Sequence, residues 1–277
     1  MSTNLTDPAP EGAAPYRKRN RYWFGLAAAR SIAALMLREM STRYGRSPGG
    51  YIWAFLEPLG MIILLSIAFS LLARSPSLGS SFILFKATGF LVLQIFQVLS
   101  NQVGNAMVFS KPLLFFPRVS WIDALLARFL LNTLVVFTVT AIILTGVMIF
   151  EDIRTVLHWP SIMLAVILAA ALGLGFGCLN CYLFTRFPVW QNIWAIMTRP
   201  LFLISGVIIL YENMPPLAQA ILWYNPLLHL TGIMRDGFYP TYTPQYISLT
   251  FIGAFILIPM VTGLLLLRQF HRDLLNR

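Results

Sequence analysis

The stretch "RYGRSPGGYIWAFLEPLGMIILL", Arg43–Leu65, decides how the chain is read. Arginines and the Gly49–Gly50 pair lead into an apolar run that nevertheless carries a carboxylate, Glu57, followed at once by Pro58. Whether such a charge is tolerable depends on the surrounding solvent. The whole chain is 58% hydrophobic and 11% charged, against about 25% charged for a soluble domain. Its apolar residues fall in long runs between polar breaks, the pattern of a chain solvated by lipid. The formal net charge of +10 would point to nucleic acid in a soluble protein. Here the basic residues cluster outside the apolar runs, so anionic lipid and topology explain them and a nucleic-acid partner is excluded.

Six runs have roughly the 20-residue length that crosses a bilayer: 51–73, 82–103, 121–150, 161–184, 189–211 and 247–267. Arg17, Lys18, Arg19, Arg21, Arg30, Arg38, Arg43 and Arg46 precede the first. Lys111 and Arg118, then Arg186, then Arg268, Arg272 and Arg277 fall on the same side; Arg74, Lys86, Arg154 and Arg235 make a poorer alternate set. The excess predicts that both termini are cytoplasmic, which six crossings satisfy. Residues 1–20 are polar and Pro/Ala-rich, read as a disordered cytoplasmic tail without a cleaved leader. In 21–46 a helical wheel gathers Leu26, Ile32, Ala33, Met36, Leu37 and Met40 opposite Arg30, Ser31, Arg38 and Ser41. That predicts an amphipathic helix on the membrane surface or on a soluble partner, with Glu39 spoiling its apolar edge. Residues 47–277 form the transmembrane domain. The fold expected is all-α: an integral membrane protein of six transmembrane helices, with this interfacial helix before them.

Two connections stand out. Between the second and third runs, Pro112 and Pro117 would break a helix and Lys111 and Arg118 are too polar for lipid, which predicts a cytoplasmic loop. It exposes Leu113, Leu114, Phe115 and Phe116 between Lys111 and Arg118, a contact surface or a loop lying on the membrane. Ser120 and Asp123 then make an N-cap pattern. Between the fifth and sixth runs, Pro215, Pro216, Pro226 and Pro240 interrupt an aromatic segment into pieces at 217–224 and 227–236, each too short to cross. These read as outer re-entrant or interfacial helices.

Few residues suggest covalent chemistry. Cys178 and Cys181 form a C-x-x-C inside the fourth run with no second pair, read as two small apolar residues on one face. "GLGFG" lies in the same run, where Gly173 and Gly177 make a close-packing face rather than a dinucleotide loop. The lysines are Lys18, Lys86 and Lys111, and none has Walker spacing. Glu151 and Asp152 beside Arg154 read as a solvated turn. No metal or cofactor is expected in this chain. The charges expected at membrane depth are Glu57 and Arg199, with Trp53, Gln191, Asn192 and Trp194 around them. Aromatic faces beside polar groups suit sugars. Glu57 paired with Arg46 and Arg199 snorkelling to the surface are the plainer readings.

The chain resembles the permease subunit of ABC type-2 exporters of the capsule polysaccharide export family. The resemblance rests on "RYGRSPGGYIWAFLEPLGMI" (43–62), "FFPRVSW" (115–121), "RPLFLISGVI" (199–208) and "NPLLHLTGIMRDGFY" (225–239). It implies a homodimer in the bacterial inner membrane that exports lipid-linked polysaccharide. It implies a separate cytoplasmic ATPase that binds ATP and magnesium, so this chain is no enzyme by itself. Lys111, Pro112, Phe115, Phe116, Pro117 and Arg118 would meet that ATPase. Trp53, Glu57, Gln191, Trp194 and Arg199 would line the substrate pathway between protomers. Tyr211, Pro215, Asn225, Pro226 and Arg235 would form an outer gate, with a periplasmic adaptor and outer-membrane export proteins beyond it. Exporters of O-antigen, teichoic acid or a drug, a membrane-embedded transferase, and an ion-coupled transporter are the alternatives. The last two would need clustered acids, several intramembrane carboxylates or internal repeats.

Overall fold

A computed structural model of the protein describes residues 21–43, 50–72, 75–114 and 119–275. The expectations for 1–20, for Arg46 and for Phe115, Phe116, Pro117 and Arg118 lie outside these residues. The described chain is helical, with no strand among the described residues. Its helices are α1 (Arg21–Arg43), α2 (Gly50–Leu72), α3 (Phe82–Gly104), α4 (Ala106–Leu114), α5 (Trp121–Phe150), α6 (Trp159–Arg186), α7 (Val189–Thr198), α8 (Leu201–Ile204), α9 (Pro216–Leu222), α10 (Pro226–Phe238) and α11 (Leu249–Leu275). Among the described residues five helical stretches are long and apolar enough to cross a membrane: α2, α3 with α4, α5, α6 and α11.

α3 and α6 form the inner pair, and α2, α5, α10 and α11 pack around them. In lipid, helix association comes from close packing rather than from burial of apolar surface, and small residues permit it. A Cβ on Gly173 would lie 2.7 Å from the Cβ of Leu99, and one on Gly177 would lie 2.6 Å from the Cβ of Val103. The predicted close-packing face is therefore the α3–α6 contact. α6 uses Gly175 on another side, where a Cβ would stand 2.5 Å from the carbonyl oxygen of Ile256 in α11. Gly263 of α11 approaches the Cys178–Leu179 backbone equally closely. Cys178 and Cys181 are free, buried thiols in the cluster around this contact.

The third run matches α5 residue for residue, and its start carries the capping box: Asp123 N–H donates to Ser120 Oγ (3.2 Å) and Ser120 N–H to Asp123 Oδ2 (3.1 Å). Asp152 turns the chain at φ +46 and pairs with Arg154 in the open, as a solvated turn should.

Three expectations are corrected. Pro112 does not break a helix: a single turn at Asn105 separates α3 from α4, which runs through Lys111 and Pro112 to Leu114. Pro112 has no N–H for the carbonyl of Val108, so α4 lacks that one rung and ends two residues later. Glu39 does not spoil an apolar edge; it is 3% exposed and faces the bundle, while Leu37 is 66% exposed. The fifth run is not one helix. It kinks at Arg199–Pro200 into α7 and α8 and stops at Gly206, whose φ of +73 ends the helix. A side chain at Gly206 would also meet Leu228 at 2.8 Å.

Carbonyls released by this kink find side-chain donors. Gln97 Nε2 donates to Thr198 O (3.1 Å), Asn225 Nδ2 to Ile204 O (3.0 Å), Thr231 Oγ1 to Ser205 O (3.0 Å) and Lys86 Nζ to Ile208 O (2.8 Å). Residues 191–208 thus run antiparallel to α3, from Gln191 beside Asn105 to Ile208 beside Lys86.

Overpacking a tight helix contact costs about 1–3 kcal/mol. Gly175→Val is therefore expected to lower the thermal midpoint of the detergent-solubilised protein. Gly253→Ala, where a Cβ meets nothing within 4 Å, should leave it unchanged or slightly raised. Size-exclusion fluorescence after heating measures both.

Candidate functional site

A cleft of about 320 Å³, lined by amides alternating with apolar side chains such as Phe90, Ile95 and Val136, opens between α2, α3 and α5. α3 supplies Gln94, Gln97, Asn101 and Gln102, α5 supplies Asn132 and Thr140, and α2 supplies Glu57. On α3 the spacing 94, 97, 101 places three amides along one helix face. On α5 the spacing 132, 136, 140 does the same with Asn132, Val136 and Thr140. Pro58 has no N–H to offer the carbonyl of Ala54, which also lines the cleft. Glu57 therefore stands in polar surroundings, and among the described residues it is in no ion pair. The amides are partly committed: Gln97 bonds Thr198 O, Gln102 Oε1 accepts from Arg128, and Asn132 Nδ2 donates to Arg128 O at 2.8 Å. The Gln94 carbonyl oxygen is buried without a partner. Such a surface offers donors and acceptors to hydroxyl groups and holds no acid–base pair.

Beside the cleft lies a charged hub missing from the sequence reading. Arg128 of α5 is 5% exposed. Its Nε donates to Glu39 Oε1 of α1 (3.0 Å), its Nη1 to the Asn105 carbonyl at the α3–α4 joint (2.8 Å) and its Nη2 to Gln102 (3.3 Å). The guanidinium also stands over the Phe109 ring of α4, 4.3 Å from its centre. The rule that singles out Glu57 and Arg199, a charge inside an apolar run, applies equally to Arg128 and would have found it. The amide spacing on α3 was the other readable signal.

Of the pathway residues expected from sequence, only Glu57 lines the cleft. Trp53 is exposed one turn before it. Gln191 Nε2 donates to Asn105 Oδ1 (3.4 Å). Trp194 is buried against Phe96 and Phe176, and Arg199 is exposed at the kink. Lys111 and Pro112 lie on α4.

The expected outer residues are drawn together more closely. Tyr211 stacks on Tyr246 at 4.2 Å and donates to Gln219 O (3.3 Å). Pro215 caps α9; Asn225 caps α10, its Oδ1 accepting from Leu227 N–H (3.0 Å), with Pro226 at the first helical position. Arg235 is 2% exposed and lies over Phe85 at 4.0 Å, where Gly89 leaves room for it. Tyr242 donates to Glu212 (3.1 Å), and burial raises its phenol above the usual range. His229 accepts from Ser248 N–H at Nδ1 (3.3 Å), so Nε2 carries the proton given to Trp223 O (2.8 Å). Burial lowers its pKa, in keeping with this neutral tautomer.

The family model described as ABC-2 type transporter matches residues 30–239, a span that includes the hub, the cleft, the kink and α10. The chain belongs to the ABC-2 type transporter family. Curated relatives of this ABC-2 chain align over nearly its whole length. The polysialic acid transport protein KpsM of Escherichia coli is 30% identical over 248 residues, covering 89% of this chain and 95% of the relative. The capsule polysaccharide export inner-membrane protein BexB of Haemophilus influenzae is 28% identical over 244 residues, 88% and 92% of the two chains. CtrC of Neisseria meningitidis serogroup B, described in the same words, is 26% identical over 256 residues, 92% and 96%.

Removing one partner of a buried ion pair costs about 3–5 kcal/mol, whereas replacing both by apolar residues can be neutral. Arg128→Met should therefore sharply reduce the yield of folded protein, and Glu39→Leu with Arg128→Met should recover most of it. Monodisperse protein after detergent extraction is the measurement. A His whose folded pKa is depressed contributes stability fully present above its unfolded pKa of about 6.5 and lost as pH falls below it. The thermal midpoint should accordingly drop between pH 7 and pH 5, and His229→Gln should flatten that dependence.

Proposed function

We propose that this chain is the permease subunit of an ATP-driven exporter of capsular, lipid-linked polysaccharide across the bacterial inner membrane. The observation that carries the reading is an amide-lined cleft set inside a membrane-spanning bundle of an ABC-2 family member. Sugar hydroxyls need dense hydrogen bonding but no covalent chemistry, and the cleft offers the first without groups for the second. The capsule export relatives supply the substrate class.

In this reading the chain crosses the membrane six times. Residues 189–208 make the fifth crossing as a kinked path, supported by their register along the length of α3, and α9 and α10 are re-entrant pieces at the outer surface. Both termini face the cytoplasm, where α1 lies along the membrane surface. Two copies form the working unit, each docked on a separate ATPase through α4 and the 115–118 segment. ATP-driven closure of the ATPases pushes α4; through Arg128 that push reaches α1 and α5 and moves the bundle as a rigid body. Polysaccharide passes along the cleft and leaves past Tyr211, Asn225 and Arg235 toward an adaptor and an outer-membrane exporter.

The test is co-purification from the native host with a C-terminal tag, with and without Phe115–Arg118 replaced by alanine and glycine. A stoichiometric ATPase, lost on replacement, is the expected outcome; a permease that purifies alone in both cases would overturn the reading. Replacing Gln94, Gln97 and Asn101 together by leucine should abolish surface polysaccharide while leaving ATPase binding intact, scored by immunodetection on whole cells.

A further inference from the structure

Glu57 and Arg199 are both exposed on the protomer surface, each within an apolar stretch, and neither belongs to an ion pair among the described residues. Their depths agree. Glu57 comes seven residues after the first residue of α2, and Gln97 comes seven residues before the last of α3. At 1.5 Å per residue Glu57 lies about 10 Å along α2 from its start, and Gln97 about 10 Å along α3 from its end. Gln97 lines the cleft with Glu57 and also donates to Thr198 O, the carbonyl next to Arg199. A carboxylate and a guanidinium therefore face outward at one level, flanked by exposed apolar side chains such as Trp53, Ile196 and Leu203. Lipid tails at that depth hold no counter-charge for either.

We propose that a second copy of the chain covers this surface, and that Glu57 of each copy pairs with Arg199 of the other. A two-fold axis makes the two pairs equivalent, so one contact neutralises all four charges. Because Glu57 lines the cleft, the second copy's guanidinium completes the cleft wall, and each cleft is finished only in the dimer. The inference rests on the homodimer reading above and goes beyond it by naming the pair.

The test uses full-length chains carrying two different affinity tags, co-expressed and extracted under mild detergent. The wild-type tags co-purify. Glu57→Arg alone and Arg199→Glu alone should each cut co-purification at least about tenfold, the loss expected when a partnered charge is left facing its like at membrane depth. Both changes in one chain reverse the pair and should restore it to near the wild-type level, an outcome that misfolding of the single variants cannot produce. In a second arm, Glu57→Cys on one tagged chain and Arg199→Cys on the other should form an oxidant-dependent cross-link that neither cysteine gives with a wild-type partner. Co-purifying wild-type tags with no rescue and no cross-link would overturn the pair and leave the homodimer standing. Wild-type tags that fail to co-purify would overturn both.

Discussion

Everything in this bundle answers to one constraint: a backbone carbonyl inside a membrane needs a donor from the protein itself. The kink at Arg199–Pro200 and the stop at Gly206 break the helical ladder, and Gln97, Lys86, Asn225 and Thr231 supply donors in its place. Two of these come from α3 and two from α10 and its cap. The irregular segment can therefore exist only where those helices stand. The packing of α10 on α3 and α6, the seating of Lys86 among Phe69 and Phe85, and the glycine contacts that hold α3 against α6 all serve the same arrangement.

Length and hydropathy made most of the architecture readable. Lipid imposes a dominant rule of length and mean hydropathy on a span, and stretches within α2, α3, α5, α6 and α11 satisfy it. The capping box at Ser120 was legible for a similar reason, since its donors and acceptors lie within four residues. The kinked segment was not: its residues are as apolar as those of a span, and the donors that make its interruption tolerable lie 21 to 122 residues away. Pro112 misled in the opposite sense: it removes one rung, the bond to the carbonyl of Val108, yet the helix continues for two more residues to Leu114.

The candidate site was less legible. Glu57 drew attention because a carboxylate is conspicuous in an apolar run. The amides that surround it carry no charge, and their meaning emerges only when 94, 97 and 101 are placed on one helix face opposite 132 and 140. Glu39 reads as spoiling the apolar edge because a helical wheel shows a residue's side and not its partner. Arg128, 89 residues away, makes the dry side acceptable to it. A charge inside an apolar run marks Arg128 locally, but its pairing with Glu39 appears only when the fold brings the two together.

The joint at Asn105 has a mechanical meaning. A one-residue turn between two helices is ordinarily a hinge, and a hinge dissipates a push as bending. Here the carbonyl at the turn is gripped by Arg128, which is anchored at once to α5 and to α1, while Phe109 on the far side of the turn lies under the same guanidinium. The joint is splinted. In the proposed exporter, a push on α4 would therefore turn α5 and α1 with it rather than bend the joint.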